Sequence, residues 1–243
     1  MSHLPLSNTV EYRVRYNLNL YDSIKCDRLT TQAAVGRYLR VLVSPTPSQE
    51  MGETNAIEVR LCEDDYPGWL ALTDVDSLEV SSIRYHPQRV SEEEIREKIP
   101  DIIAFTYHAM NQTNEYLWGG TVSPNYDCSG LMQAAFQSVG IWLPRDAYQQ
   151  EDFVQKIEIT ELKPGDLVFF GTPQKATHVG LYLGDSRYIH SSGKDQGRNG
   201  IGIDILAETG DTISQTYYRQ LRGVGRVIAS YQPNPSSILV MNS

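Results

Sequence analysis

Cysteine is scarce in this chain of 243 residues: Cys26, Cys62 and Cys128 form an odd set without a C-x-x-C pair. That excludes a disulfide framework and a zinc site of the usual spacing, and reduced thiols fit the cytoplasm. Positive charge is also short, with 21 Lys and Arg against 30 Asp and Glu and a formal net charge of −9. No basic face is on offer for sequence-independent binding of nucleic acid. No apolar run approaches the ~20 residues of a membrane span. The first eight residues lack the basic start and apolar stretch of an export signal. From these absences we expect a cytoplasmic protein without nucleic-acid or membrane partners. What is present, 40% hydrophobic and 21% charged residues, fits a globular chain of one large or two ordinary domains.

Residues 10–82 read as short strands broken by turns. Apolar and polar residues alternate over 10–16, 38–43 and 56–62, with a Pro-rich loop tip at Ser44–Ser48 and a turn at Asp64–Trp69. Such spacing predicts a small β-barrel domain over residues 1–84. Residues 85–99 read as a polar connector, in which Ser91 and Glu94 have capping-box spacing and start a short charged helix. Pro100 then opens a second helix over 101–112. Within 100–243 follow a helix from Cys128, stopped by Gly140, and strands at 166–170, 178–183, 187–190 and 223–229. Helices first and antiparallel strands afterwards predict an α+β domain.

Tyr126-Asp127-Cys128-Ser129-Gly130-Leu131 sets a cysteine where a helix begins. Unpaired amides and the positive end of the helix dipole favour its charged, nucleophilic form; the other reading is a small buried hydrophobe. A nucleophile needs a base, and the base needs an orienting group. Of the five histidines, His3 and His86 lie in a tail and the connector, and His108 sits mid-helix. His178 opens one apolar strand and His190 ends the next, with Gly184-Asp185-Ser186 as the turn between them. A two-residue loop would put the two histidines on opposite faces of the sheet. A three-residue loop sets residue 180 opposite 190, and they share a face. Either histidine alone also reads as a satisfied polar strand residue.

The Asp127–Leu131 motif, the strand His178-Val-Gly-Leu-Tyr-Leu-Gly184 and the segment Tyr188-Ile-His190-Ser-Ser192 resemble the NlpC/p60 cysteine peptidases. Tyr116-Leu-Trp-Gly-Gly120, Leu143-Pro-Arg145 and Pro164–Phe170 follow the same order, so the likeness covers roughly residues 100–232. The resemblance implies a papain-like domain that cuts cell-wall peptides after γ-linked D-glutamate, without metal or cofactor. It makes Cys128 the nucleophile, His178 the general base and His190 the group that orients His178. Tyr116 would stabilise the oxyanion beside the Cys128 N–H, or serve as a core aromatic. The turn Gly68-Trp69-Leu70 and its strand resemble bacterial SH3-like domains.

Relatives of that architecture often require a free N-terminal L-alanine, with an aromatic of the first domain closing the cleft. That implies Tyr66 as the wall and Glu63 or Asp65 as added negative charge; otherwise Glu63–Tyr66 is a solvated acidic turn. Asp127 would meet the substrate's ammonium or cap helix amides. Arg145 would hold the α-carboxylate of D-glutamate or form a surface salt bridge. Trp118 lines the pocket or packs in the core, and Ser191 adds a polar contact. The implied partner is a murein peptide, L-Ala-γ-D-Glu-diamino acid, met by a monomer during cell-wall recycling. The alternatives are a secreted autolysin, another papain-like amidase or acyltransferase, and a non-catalytic wall-binding module.

Overall fold

The computed structural model describes residues 6–42 and 55–234; the Ser44–Ser48 loop tip lies outside them. They form two compact units, one running through Pro87 and including Gln232–Asn234, the other Gln88–Tyr231.

The first unit holds seven strands: β1 (Glu11–Val14), β2 (Leu18–Tyr21), β3 (Leu29–Ala33), β4 (Tyr38–Val41), β5 (Ala56–Leu61), β6 (Pro67–Ala71) and β7 (Leu78–Val80). All pairs are antiparallel, in the order β3-β2-β6-β5-β4-β1-β7. Alternation sends Tyr12 and Val14, Leu18 and Leu20, Leu39 and Val41, and Val59 and Leu61 to the interior. Every strand, both edges included, feeds one apolar cluster, so the sheet curls on itself as in a small barrel. Each buried Leu or Val there contributes about 1.5–3 kcal/mol.

The second unit begins with α1 (Glu92–Met110), capped by the expected Ser91–Glu94 box. The two helices expected on either side of Pro100 are one. Proline removes the N–H that would bond the Arg96 carbonyl, but both residues are exposed, so water can take that carbonyl. The buried stripe Ile95, Ile102, Thr106 and Ala109 runs through unbroken. Pro100→Ala restores the missing bond and is expected to stabilise the protein by about 1–3 kcal/mol. A lower midpoint in thermal denaturation would show that the proline is needed for packing.

A hairpin of β8 (Thr121–Val122) and β9 (Asn125–Tyr126) leads into α2 (Cys128–Gln137), followed by α3 (Ala147–Phe153) and β10 (Gln155–Ile157). Then come β11 (Leu167–Gly171), β12 (Ala176–Gly184), β13 (Arg187–Ser192), β14 (Gly200–Ile205), α4 (Thr212–Tyr218) and β15 (Leu221–Arg226). The sheet is antiparallel, in the order β10-β15-β11-β12-β13-β14. Strand parity divides its side chains. Leu167, Phe169, Val179, Leu181 and Ile189 join the core formed with α1, α2 and α3. Val168, Phe170 and Tyr188 pack with Tyr217 of α4. Helix α2 is buried from Cys128 to Phe136 and ends in a Schellman motif, with Gly140 at φ 83° and Ile141 N–H bonded to the Phe136 carbonyl.

Candidate active site

Cys128 is the first residue of α2. A Cβ on Gly130 would run into the Gly120 carbonyl oxygen, and one on Gly120 would strike Asn125 O at 2.5 Å. These two glycines let the Trp118-Gly119-Gly120 loop lie directly against the helix start. The N-cap is Asp127, and both its oxygens are engaged. Oδ1 accepts from Gly130 N–H at 2.6 Å, Ser129 Oγ at 3.2 Å and Arg145 Nη1 at 3.1 Å. Oδ2 accepts from Gly119 N–H at 2.9 Å and Arg145 Nη2 at 2.6 Å. The capping geometry expected for Asp127 is present in the structure.

The backbone amides of Val179, the residue after His178, and of Ser129 act to lower the pKa of the Cys128 thiol. These favour a thiolate, as the helix start led us to expect, but they are outweighed. Burial, then the Asp127 carboxylate, pushes the Cys128 thiol up to about 12. At neutral pH this keeps the Cys128 side chain in its thiol form.

The hairpin of β12 and β13 brings the histidines together in an unexpected way. The turn has only two residues, Asp185 and Ser186, at φ 50° and 55°. The pairing steps from Gly184 opposite Arg187 to Tyr182 opposite Tyr188, so Leu183 is an unpaired bulge. Continued, that register sets residue 180 opposite 190, as expected from a three-residue loop, and a Cβ on Gly180 would lie 3.3 Å from the His190 Cβ. His178 and His190 therefore share a face, with His178 Nε2 2.6 Å from His190 Nδ1. Beyond them, His190 Nε2 lies 2.6 Å from Asp204 Oδ2, and Arg198 Nη2 lies 2.5 Å from Asp204 Oδ1. Tyr217 stacks on His178 at 4.4 Å between centroids and meets the His190 ring edge-on at 5.0 Å. Its hydroxyl bonds Ser192 Oγ at 2.7 Å.

Asp204, Arg198 and Tyr217 escaped the sequence reading. For Asp204 the signal was present: Gly200-Ile-Gly-Ile-Asp-Ile205 alternates, with one acidic residue on the face of its glycines. No comparable signal marks Tyr217, whose helix is seven residues long.

The other expected site residues divide. Tyr116 is half-buried against Gly193, whose Cβ would lie 3.6 Å from the ring. Burial, then the nearby Cys128 and Asp127, holds its phenol protonated, as a donor. Trp118 is 59% exposed, so it is no core residue. Arg145 is corrected: it is 1% exposed and clasps Asp127 and Ser129 Oγ, so its fork is not open to a substrate carboxylate. Ser191 is corrected too, being fully buried with its hydroxyl donated to Tyr126 O. Within the first unit Glu63 is 2% exposed and accepts from Arg37 Nε at 3.1 Å and Tyr38 N–H at 2.6 Å. Its charge serves the interior, not a ligand. Asp65 accepts from Asn234 N–H at 2.6 Å and lies 3.8 Å from Arg40. Tyr66 is half-buried, with its hydroxyl 3.3 Å from Thr30 Oγ1.

Residues 113–222 match the NlpC/P60 family, and residues 20–75 match the bacterial dipeptidyl-peptidase Sh3 domain. The chain carries an NlpC/P60 domain. It is 39% identical over 108 residues to a probable endopeptidase NlpC homolog of Haemophilus influenzae, covering 44% of this chain and 54% of that protein. It is 35% identical over 108 residues to a γ-D-glutamyl-L-lysine dipeptidyl-peptidase of Bacillus subtilis, covering 43% and 33%. The chain thus spans about half the length of the first relative and a third of the second. A solved NlpC/P60 family protein from Bacillus cereus covers 91% of this chain and 64% of its own, at 23% identity and a TM-score of 0.47.

Burial holds both histidines of the NlpC/P60 domain below the usual imidazole range. For His178 the neighbouring His190 adds to this; for His190 the Asp204 carboxylate opposes it. The unfolded chain then binds more protons than the folded one once pH drops below about 6.5. Stability is therefore expected to fall on acidification from about pH 7.5 to 5.5, with a limiting slope near 1.4 kcal/mol per pH unit for each histidine. Urea unfolding across that range tests it, and a flat profile would mean that one or both rings are charged in the native state.

Proposed function

We propose that this chain is a cysteine peptidase of cell-wall peptides, cutting between γ-D-glutamate and the following diamino acid. The observation that carries it is Cys128 at a buried helix start, beside the strand that presents His178 hydrogen-bonded to His190. Nε2 of His178 faces His190, so Nδ1 is the nitrogen that takes the thiol proton as sulfur bonds to the scissile carbonyl carbon. The oxyanion is met by the Cys128 N–H and the Tyr116 hydroxyl. The C–N bond then breaks as His178 returns its proton to the departing amine. Water, losing a proton to His178, hydrolyses the thioester.

The finer substrate is a short peptide beginning with free L-alanine. The match of residues 20–75 and the Bacillus subtilis relative, both named for dipeptidyl-peptidases, support it. Its setting in this proposal is cytoplasmic recycling of wall fragments; recovery of the protein only from wall or medium fractions would reject that setting. The test incubates the protein with L-Ala-γ-D-Glu-diaminopimelate, its L-lysine counterpart and the N-acetylated form of each. Release of L-Ala-γ-D-Glu from free-amine peptides alone is expected. Equal cleavage of acetylated peptides would favour an autolysin acting on the intact wall. Acyl transfer without peptide hydrolysis would favour an amidase or acyltransferase.

A further inference from the structure

We infer that Asp204, held by Arg198, is a positioning residue that sets the tautomer of His190 and, through it, leaves the His178 Nδ1 lone pair open. This rests on the cysteine-peptidase reading above and deepens it.

Strand β14 pairs His190 with Gly202, and Asp204 stands two residues further on the same face. Its Oδ2 is 2.6 Å from His190 Nε2. A carboxylate only accepts, so the proton between them belongs to His190 Nε2. His190 is then an acceptor at Nδ1, and His178, whose Nε2 is 2.6 Å away, must be the donor there. One proton remains for each neutral ring, so His178 Nδ1 carries none. That is the form needed to receive the thiol proton.

The carboxylate is itself fixed. Arg198 holds Oδ1 at 2.5 Å while Asp204 is 2% exposed at its side chain. A Cβ on Gly202 would run into the Arg198 guanidinium, so this glycine makes room for the clamp. The rings cannot easily turn away: Tyr217 stacks on His178, and Tyr188 lies 4.9 Å from His190.

In Asp204→Asn the amide can donate to His190 Nε2. The chain of protons then reverses and leaves Nδ1–H of His178 where a base is required. We expect kcat for the murein peptide to fall about 100- to 10,000-fold, with KM held within about threefold. Gly202→Ala keeps the carboxylate but displaces Arg198, and is expected to lower kcat about tenfold. Imidazole 15N–1H correlations on the whole protein, recorded without substrate, read the tautomers directly. The wild type should show Nε2–H on both rings and Asp204→Asn should show Nδ1–H. Nδ1–H in the wild type, an Asp204→Asn kcat within threefold, or a kcat loss with wild-type tautomers would each overturn the inference. A wild-type protein that cleaves no murein peptide would instead strike the peptidase reading, and the ring nitrogens would still decide the tautomer.

Discussion

Cys128→Ser is expected to lower turnover of the murein peptide by at least about 1,000-fold, equivalent to about 4 kcal/mol of barrier, with the thermal midpoint almost unchanged. A hydroxyl is less acidic than a thiol and less nucleophilic once formed. The site gives it little help, because Cys128 is only 6% exposed and Asp127 adds negative charge beside it. Proton transfer must accompany attack, and His178, held neutral by burial, is a weak base for an alcohol. Cys128→Ala should be as inactive. Activity within tenfold of wild type in either variant would remove Cys128 from the reaction. Residual activity that iodoacetamide abolishes would point to Cys26, since Cys62 is fully buried and its thiol is pushed up by that burial.

Arg145→Met is expected to cost about 3–5 kcal/mol of folding stability, the range for breaking a buried pair from one side. Asp127 is 6% exposed and would be left at the start of α2 without the Arg145 guanidinium that clasps it. The amides of Gly119 in the loop and Gly130 in α2 would offset part of the loss. Arg145→Lys keeps the charge but not the fork that spans both oxygens, so its loss should be intermediate. Asp127→Asn combined with Arg145→Met should recover much of the single-variant deficit, because no lone charge remains. Urea unfolding of the wild type, Asp127→Asn, Arg145→Met and the double variant tests the cycle. A deficit under about 1 kcal/mol in Arg145→Met would mean that water reaches the carboxylate.

How much was legible depended on the range of the interaction. The Ser91–Glu94 cap and the start of α2 at Cys128 are settled within four residues, and both were read from local spacing. Parity made the shared face of His178 and His190 depend on loop length: the two-residue turn alone would have split them, and the bulge at Leu183 supplies the extra residue. Pairings across the chain left no local mark. Arg145 reaches Asp127 from 18 positions away, and Arg37 reaches Glu63 from 26. In both cases a charge assigned to the substrate was already neutralised inside the protein. Long-range partners compete with ligands for the same few charged residues, and a linear reading cannot see them.

The Leu183 bulge makes the hairpin intolerant of changes in length. Deleting that one residue would close the strands flush on the Asp185-Ser186 turn and rotate everything before it by half a period. His178 would leave the face of His190, while Val179 and Leu181 would exchange sides with it. Side chains around the hairpin can drift by substitution, but the count of residues between position 178 and position 190 is the quantity under constraint.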